Sequence, residues 1–167
     1  SLLQMCLNAN PHLYAGQELF LLMFSTLGER RQLFDAGQFG EGLIKVYMEL
    51  RSATYEQVVA YLDTLPDSLP TVDIYRELQL LAAPRILVDK TPANAHHINV
   101  LCQSEAWPTV RYIHIYRHPY TCIRSSVQLA RDILGQPVDW DAMEEHWYSC
   151  NSNSFAFLES VPSKEQF

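Results

Sequence analysis

The chain has 167 residues, of which 48% are hydrophobic, a formal net charge of -7 and a sequence pI near 5.3, which predict one domain with a sizeable core. The acidic balance and the scattered basic residues argue against a protein that coats nucleic acid, so an anionic ligand would need a local site. No apolar run reaches the roughly 18 residues of a membrane span and no signal-peptide pattern occurs, which predicts a cytoplasmic protein without membrane partners.

Helical periodicity dominates the first half of the chain. Asn10-Pro11 should end the first helix, and Thr54 with Gln57 matches a capping box at the start of a later one. The helices between about residues 41 and 81 carry no evident chemistry, so they are predicted to be an insert that either shapes access to a site or simply packs. The predicted helices are 2–9, 17–27 (with Leu19, Leu22, Met23 and Leu27 as its buried stripe), 42–51, 54–65 and 72–81.

An aliphatic segment at residues 85–88 predicts a strand that stops at a charge. Asp89 and Lys90 follow it directly, and Thr91-Pro92 can then cap and begin a helix. Lys90 is therefore a candidate for neutralising an anionic group. A surface ion pair is the alternative interpretation of this lysine.

A second segment, residues 110–116, is β-branched and aromatic and predicts another strand. Arg117 ends it, and Pro119 suits the first turn of a helix that continues over residues 121–130. Arg117 can bind a phosphate through two parallel hydrogen bonds, and Ser125, two helical turns later, can add a hydroxyl. In the alternative interpretation Arg117 pairs with a carboxylate and Ser125 has no role beyond the helix.

The two predicted strands end in the same way, each with a cation before a helix. If they are parallel neighbours, Lys90 and Arg117 lie at one edge of the sheet, where ligands collect in α/β proteins. The sequence therefore predicts one anion site built from both strand ends.

The histidines and cysteines are the side chains that could act as a base or bind a metal ion. His96 and His97 lie on the helix that starts at Pro92, and a neutral histidine near a hydroxyl is a good general base. Zinc bound by His96, His97 and His118 is an alternative, but adjacent histidines on a helix do not easily bind one ion. No metal is predicted, and the cysteines are interpreted as buried free thiols without ligand spacing: Cys6, Cys102, Cys122 and Cys150.

The last predicted helix covers residues 139–160. Its large apolar side chains are interpreted mostly as core. These are Met143, Trp147, Cys150, Phe155 and Leu158.

Two of these segments resemble those of a known enzyme family. Arg117-His-Pro followed by Ser125 resembles the 3′-phosphate-binding segment of sulfotransferases that use 3′-phosphoadenosine 5′-phosphosulfate (PAPS). Residues 86–92 resemble the family's aliphatic strand followed by Glu/Asp-Lys-Ser/Thr-Pro. The resemblance runs through nearly the whole chain and is closest to sulfotransferase domains of bacterial, especially cyanobacterial, polyketide synthases. Further matching landmarks are Asn8-Ala-Asn-Pro-His, Gln17-Glu-Leu-Phe-Leu-Leu, Tyr47-Met-Glu-Leu, and Trp147 with Asn151 and Asn153.

The resemblance implies a three-layer α/β domain of the P-loop-like sulfotransferase type, a parallel sheet flanked by helices and mostly helical in this stretch. No Gly-rich phosphate loop occurs in the sequence. Residues 1–167 are therefore predicted to be a single partial domain that lacks the family's N-terminal phosphosulfate-binding loop and a C-terminal segment.

The implied reaction is transfer of a sulfuryl group from PAPS to a hydroxyl without a metal. In a polyketide synthase the acceptor would be the β-hydroxyl of an acyl chain on an acyl carrier protein, and other synthase domains would be partners. A free-standing sulfotransferase for small molecules or carbohydrates is one alternative. A degenerate module that only binds a nucleotide or a partner is another.

The resemblance also implies site roles. Related domains carry a Glu and a His beside the active site in the segment that begins at Gln17; here Glu18 is kept, but Phe20 stands in place of the His. A solvated carboxylate near a helix start is the alternative interpretation of Glu18. The implied roles are Arg117 and Ser125 on the 3′-phosphate, Lys90 at the sulfuryl end, and His97 or Glu18 as the base.

Overall fold

A computed structural model of the chain describes residues 2–34, 41–96, 110–135 and 139–160. Within these ranges the chain is mainly helical and forms a small parallel sheet. The elements are α1 (Leu2–Asn8), β1 (Leu13–Ala15), α2 (Leu27–Phe34), α3 (Glu41–Arg51), α4 (Tyr55–Thr64), α5 (Thr71–Ala82), β2 (Ile86–Val88), a 3₁₀ helix (Pro92–His96), α6 (Pro119–Leu134) and α7 (Trp140–Ser160).

The chain folds into two compact units, Ser1–Asn94 and Ala95–Phe167. The first contains α1 to α5 with both strands, and the second contains α6 and α7. The single partial domain over residues 1–167 stays a prediction. None of the described helices combines the length and the apolar character needed to cross a membrane.

The sheet of the first unit consists of β1 and β2, which pair in parallel. The β2 strand lies within the predicted segment 85–88, so this strand is confirmed. Its neighbour β1 was not predicted, because three residues between Pro11 and Gly16 give no recognisable alternation. The register pairs Leu13 with Ile86, Tyr14 with Leu87 and Ala15 with Val88.

Polar side chains of α1 hold the end of β1. The Asn8 amide donates to the Ala15 carbonyl at 2.9 Å, and its oxygen accepts from the Ala15 N–H at 2.7 Å. Gln4 Nε2 donates to the Gly16 carbonyl at 2.7 Å. These amides satisfy backbone groups that a further strand would otherwise satisfy, so a strand of three residues has a fixed end.

The predicted insert forms a packed group of helices, α3 to α5, joined at one carboxylate. Glu77 accepts from the Tyr47 hydroxyl at 2.8 Å and from the Tyr61 hydroxyl at 2.6 Å, and it forms an ion pair with Arg51. Burial, reinforced by the Glu77 hydrogen bond, raises the pKa of Tyr47 well above its ordinary value. The Thr54 capping box is confirmed in the structure. The largest fully buried side chains of the first unit are Tyr47, Leu19, Leu21, Leu27, Leu43, Ile74, Leu78, Val46 and Val58.

The helix predicted at residues 17–27 is wrong, because α2 begins only at Leu27. The Glu29 N–H donates to Thr26 Oγ1 at 3.3 Å, and the Thr26 N–H donates to Glu29 Oε2 at 3.4 Å. This capping box marks the true start of the helix and is visible in the sequence as Thr-x-x-Glu. Of the predicted stripe, Leu19 and Leu27 are buried and Leu22 and Met23 are half-buried, while Leu21 is fully buried.

In the second unit, α6 packs against α7. The helix predicted at residues 121–130 is confirmed and extends over Pro119–Leu134, with Pro119 in its first turn and Gly135 ending it in the left-handed conformation at φ 61°. The last predicted helix is confirmed as α7. The buried side chains of the two helices are Ile123, Val127 and Phe157.

The strand predicted at residues 110–116 is not formed; the segment contains a single β-bridge residue, Tyr112. This segment packs on α7 instead. The Tyr112 ring meets the Phe157 ring edge-on, with the ring centroids 4.8 Å apart. The side chains between the packed positions are exposed, with Ile113 at 61% and Ile115 at 59%. The β-branched and aromatic composition therefore identified a segment with one packed face, but not a strand.

The polar insertion in this segment, His114, also contacts α7. Its Nε2 lies 3.1 Å from Asn151 Oδ1, and its ring meets the Phe155 ring edge-on at 4.8 Å. Phe155, predicted as core, is 48% exposed, whereas Phe157 is buried. The sequence therefore predicted the wrong phenylalanine of α7 as a core residue.

Candidate functional site

The two strands bring two charged side chains to one edge of the sheet. Because β1 and β2 are parallel, their carboxyl ends lie at the same edge, and Glu18 and Lys90 follow these ends closely. Lys90 Nζ and Glu18 Oε1 form an ion pair. The lysine side chain is only 19% exposed and the glutamate side chain is 37% exposed. Two predicted site residues thus meet where α/β sheets bind ligands, although the strand that pairs with β2 is β1, which was not predicted.

The residues on either side of Lys90 form a series of hydrogen bonds that fixes the end of β2. The Asp89 carboxylate accepts from Thr91 Oγ1 at 2.6 Å and from the Tyr75 hydroxyl. Burial raises the pKa of the Asp89 carboxyl above its ordinary value, while the hydrogen bonds it accepts act in the opposite direction. The Thr91 hydroxyl in turn accepts from the Leu19 N–H at 3.1 Å. The predicted helix cap Thr91 therefore uses its side chain to join the end of β2 to the segment that carries Glu18.

The backbone around Glu18 is held from two other directions. The Glu18 carbonyl approaches Gly42 at the start of α3 so closely that a Cβ there would lie 2.0 Å from the oxygen. Only glycine fits that contact. Arg30, which is 4% exposed, donates to the next carbonyl, that of Leu19, from Nε at 3.3 Å and from Nη2 at 3.2 Å. These contacts fix the backbone that carries the Glu18 side chain.

Phe20, which stands where related domains are expected to carry a histidine, completes this segment. It adopts a left-handed backbone with φ 49°, which is uncommon for a residue with a bulky side chain. Its N–H lies 3.4 Å from Thr91 Oγ1, and its ring packs against the Phe34 ring at a centroid distance of 5.3 Å. At this position the chain carries a packing group and no acid or base.

Arg117 and Ser125 lie on the second unit, at and near the start of α6. Arg117 directly precedes His118, which caps the helix, and both Arg117 and Ser125 are exposed. Within the described part of the chain, no carboxylate forms an ion pair with Arg117. Since Lys90 belongs to the other unit, a shared site for the two cations stays a prediction. His97, predicted as the base together with Glu18 as its alternative, lies outside the described residues.

Sequence reasoning missed the groups that hold this site in place. Arg30 and Tyr75 could not be predicted from the sequence. Nothing near Arg30 in the chain distinguishes a buried arginine from a surface one, and nothing near Tyr75 distinguishes a hydrogen-bonded tyrosine from an ordinary core residue. The cysteine interpretation was also partly wrong: Cys6 is exposed and Cys122 and Cys150 are half-buried, while Cys102 lies outside the described residues.

Replacing Thr91 by valine should lower the free energy of unfolding by about 1–3 kcal/mol, because it leaves the Leu19 N–H buried without an acceptor. Thr91→Ser keeps the hydroxyl and should cost clearly less than Thr91→Val. Urea denaturation of the three proteins measures the difference. A loss in Thr91→Ser as large as that in Thr91→Val would show that the methyl group contributes as much as the hydroxyl, and a stable Thr91→Val protein would show that the hydroxyl does not stabilise this junction.

The chain is similar to proteins of known family and structure. A model described as "Sulfotransferase family" matches residues 1–167. Two similar solved structures are the sulfotransferase domain from the curacin biosynthetic pathway and that from the Synechococcus PCC 7002 olefin synthase; each has a TM-score of 0.87 and 32% identity and covers 99% of this chain. The chain spans 60% and 59% of those two chains, respectively. No curated protein matches the chain.

These matches agree with the observed architecture of helices around a parallel strand pair, so the predicted α/β sulfotransferase-type fold is confirmed. They also agree with the sequence motifs that end β2 and precede α6. The chain belongs to the sulfotransferase family.

Proposed function

We propose that this protein transfers a sulfuryl group from PAPS to a hydroxyl. Membership of the sulfotransferase family supports the reaction class. The structural observation that carries the proposal is the half-buried Lys90 ammonium beyond the carboxyl ends of two parallel strands. A cation with little solvent around it interacts strongly with an anionic group that enters its site.

The chemistry requires one proton acceptor and one stabiliser of negative charge. The acceptor oxygen forms a bond to sulfur as the bond from sulfur to the donor's phosphate oxygen breaks, and the hydroxyl proton passes to a base. Lys90 would stabilise the negative charge that develops on the departing phosphate. Glu18, in contact with Lys90, or His97 would take the proton.

Arg117 and Ser125 would bind the 3′-phosphate of the donor. An exposed guanidinium without an ion pair among the described residues is available for a bidentate contact with phosphate. The start of α6 adds the positive end of the helix dipole, which favours an anion. The residues present fit an anionic nucleotide, and no metal is assigned to this reaction.

For the acceptor, we propose the β-hydroxyl of an acyl chain carried by an acyl carrier protein in a cytoplasmic polyketide synthase, whose other domains would be partners. The similarity to sulfotransferase domains of a curacin pathway and an olefin synthase supports this acceptor class. A β-sulfate is a good leaving group, so once water cleaves the thioester to a free carboxylate, loss of sulfate together with CO2 would give a terminal alkene. That sequence would fit a domain related to one from an olefin synthase. Neither nucleic acid nor a membrane is proposed as a partner.

The test supplies PAPS and a β-hydroxyacyl carrier protein to the protein in its natural full-length context. Mass spectrometry of the carrier should show addition of one sulfuryl group, and an equal amount of desulfated donor should form. The matched acceptors are the free β-hydroxy acid and a simple sugar. Preference for a free acceptor would support a free-standing small-molecule enzyme. Binding of the donor without turnover of any acceptor would overturn the catalytic proposal in favour of a binding module.

A further inference from the structure

Two histidines and a cysteine converge in the second unit, and none of the three has a role in the proposed transfer. Cys150 Sγ lies 3.5 Å from His96 Nδ1, 3.6 Å from His96 Nε2 and 3.9 Å from His146 Nε2. The two imidazole rings lie 4.6 Å apart between centroids. We call these three residues the His–Cys cluster; within the described ranges it is the only group of three His, Cys, Asp or Glu side chains close enough to share an ion.

The spacing matches that of ligands around one tetrahedral ion. Zinc binds sulfur at about 2.3 Å and imidazole nitrogen at about 2.0 Å, which separates the two ligand atoms by about 3.5 Å at a tetrahedral angle. The sulfur-to-nitrogen distances of 3.5 Å and 3.9 Å lie at or near that value, and all ligand atoms of the cluster fall within 4.8 Å of one another. A single S–H···N hydrogen bond would account for one of these contacts but not for the convergence of three groups.

The local structure presents the ligands together. His146 and Cys150 are four residues apart on α7, so their side chains lie on one face of the helix, one turn apart. His96, the last residue of the 3₁₀ helix, supplies the third ligand. The Asn153 amide donates to the Ala95 carbonyl at 3.4 Å, which holds the backbone beside His96 near the same helix. The sulfur is nearly equidistant from both His96 nitrogens, so the His96 ring turns about its side-chain torsions to aim one nitrogen at an ion.

We propose that the His–Cys cluster is a zinc site. One thiolate and two imidazoles are ligands that zinc accepts, whereas magnesium and calcium prefer oxygen. Both histidines are exposed and the cysteine is half-buried, so an ion can enter from solvent and a water can take the fourth position. Binding breaks the S–H bond of Cys150, forms the sulfur-to-zinc bond and releases one proton to the buffer.

The sequence did not predict this site, because the histidines were considered as ligands only with one another and the cysteines only with one another. The predicted alternative joined His96 to His97 and His118, yet among the described residues His96 meets His146 and Cys150. The zinc site does not depend on the proposed function.

The test is titration of the reduced protein with Co²⁺, followed by competition with Zn²⁺. The protein should bind one Co²⁺ with a thiolate-to-metal charge-transfer band in the near ultraviolet and the visible bands of a four-coordinate ion, and Zn²⁺ should remove both. Cys150→Ser should abolish the charge-transfer band. His146→Gln should keep a weakened band and lower the zinc affinity by more than roughly 100-fold, since even groups behind the ligands contribute 10–100-fold.

Cys122→Ser and His118→Gln are the matched controls, because they remove the same kinds of side chain from the α6 region without touching the cluster. Both should titrate as the unchanged protein does, and circular dichroism should show that all four variants fold. A charge-transfer band that persists in Cys150→Ser would overturn the site. So would equal losses in the controls, or the absence of saturable Co²⁺ binding in the folded, reduced protein.

Discussion

Lys90→Met should lower the rate of sulfuryl transfer roughly 100- to 1,000-fold, the range for losing one group that stabilises charge in a transition state. Methionine keeps most of the length of the lysine stem but removes the ammonium that contacts Glu18. Glu18 is 37% exposed, so the carboxylate left behind can be solvated and folding should be little affected. Single-turnover assays with PAPS and the acceptor measure the chemical step directly.

The matched control is Lys45→Met, which removes an exposed lysine paired with Glu41 on α3 and should leave the rate unchanged. Glu18→Gln separates two roles of the carboxylate. If Glu18 is the base, this variant should lose activity as strongly as Lys90→Met; if it only positions Lys90, the loss should be much smaller and His97 becomes the base. A Lys90→Met protein with full activity would remove the ammonium from the mechanism.

The fold was predictable where the signal was local. The Thr54 capping box, the helices from residue 41 to residue 82 and the strand before Asp89 appear as the sequence indicates, because caps and helical periodicity depend on neighbours in the chain. The predictions failed where distant contacts decided the backbone. The segment around Phe20 has helical composition, but the Thr91 hydroxyl and the Arg30 guanidinium bind its backbone groups and hold it in an irregular path.

The candidate site was partly predictable for the same reason. Lys90 was identified from a motif that follows its own strand, and Glu18 from a resemblance, but nothing local shows that they touch. Their contact requires β1, three residues whose pairing with β2 is a tertiary event. The His–Cys cluster likewise joins His96 to residues 50 and 54 positions later in the sequence, a distance at which no motif operates.

Arg117→Ala should weaken binding of the desulfated donor, 3′-phosphoadenosine 5′-phosphate, about 100-fold, because charge-assisted hydrogen bonds to phosphate are lost at a position where no other described side chain pairs with the arginine. The affinity of Arg117→Lys should lie between that of the unchanged protein and that of Arg117→Ala, because lysine keeps the charge but not the bidentate geometry. Calorimetric titration measures both affinities. Ser125→Ala should have a smaller effect, because it removes a single neutral hydrogen bond.

Arg131→Ala separates a specific contact from the loss of one positive charge. Arg131 lies in the last turn of the same helix and is also exposed, so its removal changes the net charge equally but leaves the helix start intact. Its affinity should match that of the unchanged protein, and the difference between the two alanine variants should persist at high salt, because direct contacts are screened less than long-range attraction. Equal affinities for Arg117→Ala and Arg131→Ala would place the 3′-phosphate elsewhere, whereas a loss confined to Arg117 would tie the start of α6 to the donor.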